Sequence, residues 1–206
     1  MPRKGICYIV GAAEADSIDF SPSENDLVIA ADGGYAHLAK AGIKADIVVG
    51  DFDSLGKEPD HPCVVKLKVE KDETDLYKAA QIGLGKGYTR FMFFGASGGK
   101  LEHTIANIQL LNMLANKGCK GTIVGKGQNI TVIKNSTLTL PARDSGRVSV
   151  FSLREMSFGV TLKGLKYPLN EYNMDNLFPI GVSNEFTGKE VSITVKDGEL
   201  AVIYDA

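Results

Sequence analysis

Tryptophan is absent from the 206 residues, and cysteine is scarce. The three cysteines, Cys7, Cys63 and Cys119, are odd in number and include no CxxC pair. That excludes a disulfide framework as the basis of the fold and points to a reducing, cytoplasmic setting. No apolar run approaches the roughly 20 residues that span a bilayer, so a membrane protein is not expected. Neither sign of charge dominates. The formal net charge of −2 leaves no basic footprint for nucleic acid or anionic membrane. No G-x-G-x-x-G follows the first apolar strand, which argues against a dinucleotide-binding domain. The opening "MPRKGICYIVGAAEA" loosely resembles a signal peptide, but its apolar run is short for one. It reads better as a core strand, Ile6 to Val10, turning at Gly11.

What the chain does have is an ordinary globular composition and a clear order of patterns. Up to residue 127, strand-like runs alternate with helix-like ones. The strands are "ICYIV", "DLVIAAD", "DIVVGD", "CVVKLKV", "RFMFFGA" and "GTIVG". Between several of them lie "GGYAHLAKAG", "TDLYKAAQIGLGKG" and "LEHTIANIQLLNMLANKG". The last puts Leu101, Ile105, Ile108, Leu111 and Leu114 at helical spacing, as one apolar face. Such alternation predicts a Rossmann-like, mostly parallel α/β sheet covered on both sides. From Gln128 onward the helical period stops. Short alternating runs follow, ending in "EVSITVKDGELAVIYD", where Asp197-Gly198 signals a hairpin. This half predicts an antiparallel β-sandwich. The expected domains are therefore 1–127 and 128–206, with Gly125 and Gly127 punctuating the boundary.

In open parallel sheets, ligands sit outside the carboxyl ends of the strands. Asp32, Gly33 and Gly34 follow one predicted strand, and Gly50, Asp51, Asp53 and Ser54 follow the next. Asp72, Glu73 and Asp75 follow a third. Gly95, Ser97, Gly98, Gly99, Lys100, Glu102 and His103 follow a fourth. Each piece alone has a plain structural explanation. Asp72 and Asp75 suit a helix cap, Glu102 suits a helix start, and the glycines suit turns. His37 and His61 show no partner spacing and read as structural. Together, however, four strands would deliver several carboxylates to one edge, where they repel unless a cation neutralises them. Hard oxygen donors favour Mg²⁺, which takes a few carboxylates plus substrate phosphates. Glycine loops before helices offer N–H groups to phosphate oxygens. Acids and such loops together suggest a metal–nucleotide site.

Five motifs in order sharpen this: "ADGGYAHL", "VVGDFDSL", "KDETDLYKA", "FGASGGKLEHTIANIQLL" and the tail "GLKYPL…GVSNEF". Together they resemble the thiamine pyrophosphokinase family, from Asp32 to Phe186. The resemblance implies Mg-dependent transfer of a pyrophosphoryl group from ATP to the thiamine hydroxyl, giving thiamine diphosphate and AMP. It implies an N-terminal α/β domain for ATP, a C-terminal sandwich for thiamine, and a homodimer with the active site at the subunit interface. By the same resemblance Asp51, Asp53 and Asp75 hold Mg²⁺, and Asp32 and Gly33 line the site. Gly95, Ser97, Gly98, Gly99, Lys100 and His103 wrap ATP. Ser183 and Asn184 recognise the aminopyrimidine, and Asp75, a thiamine-binding residue, or Glu102 lies near the thiamine hydroxyl to take its proton, so that Asp51, Asp53, Asp75 and Glu102 form the catalytic set.

Two departures from the family pattern matter. The usual "GGRxDH" reads "GGKLEH", so Lys100 keeps the charge but loses the guanidinium fork, and Glu102 is one methylene longer than aspartate. Without tryptophan, Tyr167 or Phe186 would have to cover the thiamine ring.

Other readings compete. A haloacid-dehalogenase-like phosphatase would use Asp51 of "DFDSL" as nucleophile, but its motif belongs on the first strand. A nucleotide-sugar transferase with "DFD" as a DxD motif leaves the sandwich unexplained. A nucleotide-sensing or thiamine-binding module that has lost catalysis is also compatible with "GGKLEH".

Overall fold

The computed structural model describes residues 2–14, 18–52, 59–68, 70 and 72–206. Asp53 lies outside them, as do Ser54 and Lys71. The chain divides into two compact units, Met1–Leu110 with Gly121–Lys126, and Leu111–Lys120 with Gly127–Ala206. No helix among the described residues is long and apolar enough to cross a membrane.

The first unit follows the alternating pattern. Its elements are β1 (Cys7–Val10), β2 (Leu27–Ala31), α1 (Gly34–Ala41), β3 (Ile47–Gly50), β4 (Val64–Lys66), α2 (Asp75–Gly85), β5 (Arg90–Phe94), α3 (Leu101–Asn116) and β6 (Lys120–Val124). The division between the units falls inside α3. Strand order is β6-β5-β1-β2-β3-β4. The pairs β1–β2, β1–β5, β2–β3 and β3–β4 are parallel. Strands β1, β2 and β3 are buried on both faces, which is why they read as continuous apolar runs. Tyr8, Val10, Val28 and Ala30 join Leu38 of α1 in one core cluster. On the other face Cys7 lies under Gly83 of α2, where an added Cβ would come within 2.8 Å of the thiol sulfur. Burial pushes the Cys7 thiol far above its ordinary range.

The expected apolar face of α3 needs correction. Leu101 and Ile105 are 71% and 52% exposed. The buried face consists of Asn107, Leu110, Leu111, Leu114 and Ala115. Residues 101, 105 and 108 share a helical period with 111, but over four turns the buried stripe drifts, so that Leu111 and Leu114 are covered while Leu101 and Ile105 are not.

The second unit contains β7 (Gln128–Lys134), β8 (Thr137–Leu140), β9 (Arg147–Ser152), β10 (Met156–Lys163), β11 (Leu169–Asp175), β12 (Asn184–Glu185), β13 (Val191–Thr194) and β14 (Glu199–Asp205). They form two antiparallel arrays, β12-β9-β14-β7 and β11-β10-β13-β8. Val148, Val150, Val160, Leu162, Ile193, Leu200 and Val202 fill the core that both arrays share. The expected hairpin at Asp197-Gly198 is not one. β13 pairs with β8 and β10, whereas β14 pairs with β7 and β9. The turn is a corner where the chain changes sheet. Gly198, at φ +147°, sits so close to Ser157 that a Cβ would approach its hydroxyl oxygen within 2.4 Å.

Candidate functional site

The strand order has a reversal point. From β1 the chain steps outward through β2, β3 and β4, then returns to place β5 on the other side of β1. A crevice is expected outside the carboxyl ends of β1 and β5, and a cavity of about 300 Å³ lies there. Its walls are the segments after each strand, Ala12 and Ala13 on one side and Gly95 to Lys100 on the other, with Leu76 of α2 and His103, Thr104 and Asn107 of α3.

Backbone hydrogen bonds zip the two walls together. The N–H of Gly11 donates to Phe94 O at 2.8 Å, and that of Ala13 to Gly95 O at 3.1 Å. Gly95 sits at φ +58°, a region that side chains resist. Asn107 is buried and donates through Nδ2 to Ala96 O at 2.7 Å, tying α3 to the loop. The loop ends at the positive end of α3, with Lys100 beside it, and this combination suits phosphate oxygens.

The acids lie along the same strand ends. Asp32 follows β2 at φ +49°, its N–H donating to Val49 O at 2.7 Å. A Cβ on Gly50 would lie 3.2 Å from the Cα of Asp32, so the exits of β2 and β3 are in direct contact. Asp51 follows β3 and leads into Phe52, buried at φ +61°. Asp75 is the first residue of α2. The cap is Thr74, whose Oγ1 accepts from the N–H of Tyr77 at 3.2 Å. The suggested capping by Asp72 and Asp75 is therefore replaced by the threonine between them. Asp75 is left in the first turn, where the helix dipole favours its charge. Leu76, the next residue, reaches the cavity wall. Among the described residues, no three acidic, histidine or cysteine side chains gather closely enough to hold a metal by themselves.

The second unit carries its own surface. Ser183 is exposed at φ +56°, its N–H donating to Ser149 Oγ at 3.0 Å. Asn184 is buried, with its carboxamide bonded to the backbone of Tyr167. Tyr167 is 58% exposed, whereas Phe186 is 5% exposed and belongs to the core. Lys166 pairs with Glu185 at 3.0 Å, and that hydrogen-bonded carboxylate raises the pKa of the ammonium.

Comparison with known proteins gives both halves the same origin. The thiamin pyrophosphokinase catalytic domain profile matches residues 21–123, and the vitamin B1 binding domain profile of the same enzyme matches residues 136–200. The chain belongs to the thiamin pyrophosphokinase family. Thiamine pyrophosphokinase activity goes with that membership, and the family uses ATP. The thiamine pyrophosphokinase of Bacillus subtilis is 29% identical over 187 residues, 87% of either chain. A crystal structure of the Bacillus subtilis enzyme superposes with a TM-score of 0.86 at 27% identity, covering 98% of this chain and 99% of that one. The Geobacillus thermodenitrificans enzyme gives 0.82 at 27% identity, covering 98% and 97%. Family membership displaces the phosphatase and sugar-transferase alternatives.

Within this thiamin pyrophosphokinase family member, the cavity gathers Gly95, Ser97, Gly99, Lys100 and His103 from the expected set. Gly33 borders it, since a Cβ there would lie 3.0 Å from the Cβ of Ala12. Gly98 belongs to the loop without lining the cavity, and Glu102 points outward on α3. Asp32, Asp51 and Asp75 occupy the neighbouring strand and helix ends rather than the cavity wall. Ala12, Ala13, Leu76, Ala96, Thr104 and Asn107 were not anticipated. Small residues in "VGAA" after the first strand were the one signal for Ala12 and Ala13, readable only with the strand order in hand.

Proposed function

We propose that the protein transfers the pyrophosphoryl group of Mg·ATP to the hydroxyl of thiamine, releasing AMP and thiamine diphosphate. The observation that carries this reading is the cavity at the β1/β5 reversal point, walled by the Gly95–Lys100 loop and next to the acid-bearing strand ends. The loop N–H groups, the start of α3 and Lys100 bind the ATP phosphates. Asp51 and Asp75 offer hard oxygens, and Asp53 would add a third. This donor set suits Mg²⁺, which is content with one or two carboxylates when substrate phosphates complete its shell. When bound, the ion supplies charge neutralisation at the phosphates and polarises the attacked phosphorus. Asp32 flanks the same edge.

In the reaction a bond forms between the thiamine oxygen and the β-phosphorus. The bond from that phosphorus to the oxygen bridging it to the α-phosphate breaks, and AMP leaves with the electron pair. The carboxylate of Asp75 has two oxygens and can take the hydroxyl proton with one of them. Glu102, exposed and outside the cavity, is the weaker choice for that role. Most of the rate comes from positioning and charge stabilisation. On the thiamine side Tyr167 covers the ring in preference to Phe186, because Tyr167 presents an aromatic surface and Phe186 does not. Ser183 supplies a polar contact from a strained backbone, the kind of conformation that clusters at binding sites. Two copies of the chain pair so that the sandwich surface of one faces the nucleotide edge of the other. The setting is the cytoplasm, which suits the free cysteines.

Phosphorus NMR of the protein with ATP, Mg²⁺ and thiamine should show AMP and thiamine diphosphate growing together. ADP with thiamine monophosphate would change the reaction, and thiamine-independent phosphate release would refute it. Asp75→Asn should lower turnover by about 10²-fold or more while the thermal midpoint stays close to the parent's. Near-normal turnover would remove Asp75 from the mechanism.

A further inference from the structure

Asn184 is 3% exposed, and its carboxamide is committed to the protein. Oδ1 accepts from the N–H of Tyr167 at 2.9 Å and of Glu185 at 3.0 Å. Nδ2 donates to the carbonyl of Tyr167 at 2.6 Å. A carboxamide has two acceptor sites and two donor hydrogens. Both acceptor sites are filled here, so Asn184 cannot accept a hydrogen bond from the amino group of a pyrimidine, and the one donor hydrogen not spent on Tyr167 belongs to a side chain only 3% exposed. What it does is grip the N–H and the C=O of one residue. Those groups belong to the two peptide planes that flank Tyr167, so the grip fixes the direction of its Cα–Cβ bond.

Other features fix the same residue. Pro168 follows it, which restricts Tyr167 to extended backbone. The N–H of Lys166 donates to Glu185 O at 3.0 Å, and Leu165 forms an isolated bridge to Phe186, so residues 165–167 lie alongside 184–186. The Lys166 ammonium lies 5.4 Å from the centre of the Tyr167 ring and is held by the Glu185 carboxylate. The ring itself remains 58% exposed. So many constraints on one exposed aromatic are not explained by core packing. They suit a platform whose ordering is complete before a flat ligand arrives, which lowers the entropic cost of binding.

We infer that Asn184 is a positioning residue that orients Tyr167 against the thiamine ring, instead of a residue that touches thiamine. The inference rests on the thiamine pyrophosphokinase reading above. Asn184 acts through the tyrosine, and the two should therefore behave as a unit.

The test uses the lack of tryptophan in the chain. Tyr167→Trp places a sole indole on the platform, and thiamine should quench its emission saturably. In steady-state kinetics, Tyr167→Ala and Asn184→Ala should each raise the KM for thiamine by about tenfold, with the KM for ATP unmoved. The double variant should be no worse than Tyr167→Ala alone. Asn184→Asp, which keeps the acceptor oxygens and loses the donor, should fall between parent and Asn184→Ala. It also carries the cycle if the alanine variant does not fold. Additive effects would make Asn184 a direct ligand and overturn the inference. So would an unquenched indole in a chain whose parent still makes thiamine diphosphate. Saturable quenching without any thiamine diphosphate formed by the parent would instead refute the reaction and leave the platform standing.

Discussion

Gly95 stands where two requirements meet. Its backbone is at φ +58°, and a Cβ would fall 2.4 Å from Gly11 O and 2.8 Å from Ala13 O. Both oxygens are main chain in the opposing wall of the cavity and cannot swing aside. Gly95→Ala should therefore cost about 1–3 kcal/mol of stability and raise the KM for ATP. Thermal unfolding and initial-rate kinetics would measure the two effects. Single residues were also where the sequence spoke most clearly. Gly95, Ser97, Gly99 and Lys100 could be grouped as one glycine-rich loop with a cation ahead of a helix, and the structure gathers them in one cavity wall. Asn184 could be named too, but not its hydrogen-bond partners. Which partners an amide chooses depends on neighbours brought from elsewhere in the chain, here Tyr167.

At the scale of elements, helix α3 ties the cavity together. Asn107 on its buried face bonds Ala96 O, and without that bond the carbonyl stays buried and unsatisfied. Asn107→Ala should destabilise the protein by about 1–3 kcal/mol and weaken ATP more than thiamine, as separate KM measurements would report. A larger effect on thiamine would place the loop on the other substrate. The helices were legible from their periods, yet the buried face of α3 was not, because the period alone does not say which turns are covered. Strand β11 went unread for a related reason. Its residues are mostly half-buried or exposed, so "LNEYNMD" lacks an apolar alternation. The Asp197-Gly198 corner carries a hairpin's residues but joins strands of different sheets. Turn chemistry fixes local backbone, and sheet membership is decided by the core.

For the molecule as a whole, acid should erode stability in a defined window. Asp205 lies below its ordinary pKa because Gln128 and the N–H of Arg147 bond its carboxylate. Burial would raise Asp26, but the N–H groups of Ile6 and Ser23 and the Ser23 hydroxyl bring it below the usual range. A depressed folded pKa gives stability that is complete above the unfolded value and lost as pH falls through the folded one. The loss should begin below about pH 4, near the unfolded carboxylate value. Asp205→Asn should flatten that part of the pH–stability curve, which denaturant titrations at several pH values would reveal. An unchanged slope would assign the acid sensitivity to other groups. The change of fold class from α/β to antiparallel β was legible from the switch in hydrophobic period near Gly127, whereas the assignment of Leu111–Lys120 to the second compact unit was not. Strand order was not, since nothing in "RFMFFGA" tells that it returns to the far side of "ICYIV".

That return has a consequence for how the chain is made. β1 is synthesised before both of its neighbours and pairs on one side with β2, yet its other edge waits until β5 emerges. Through the synthesis of β2, β3 and β4, an apolar strand of the nascent chain therefore presents bare N–H and C=O groups to its surroundings. Such an edge recruits foreign strands. The ribosome-bound chain should be most prone to aggregation, and most dependent on chaperones, in the interval that ends when Phe94 leaves the exit tunnel.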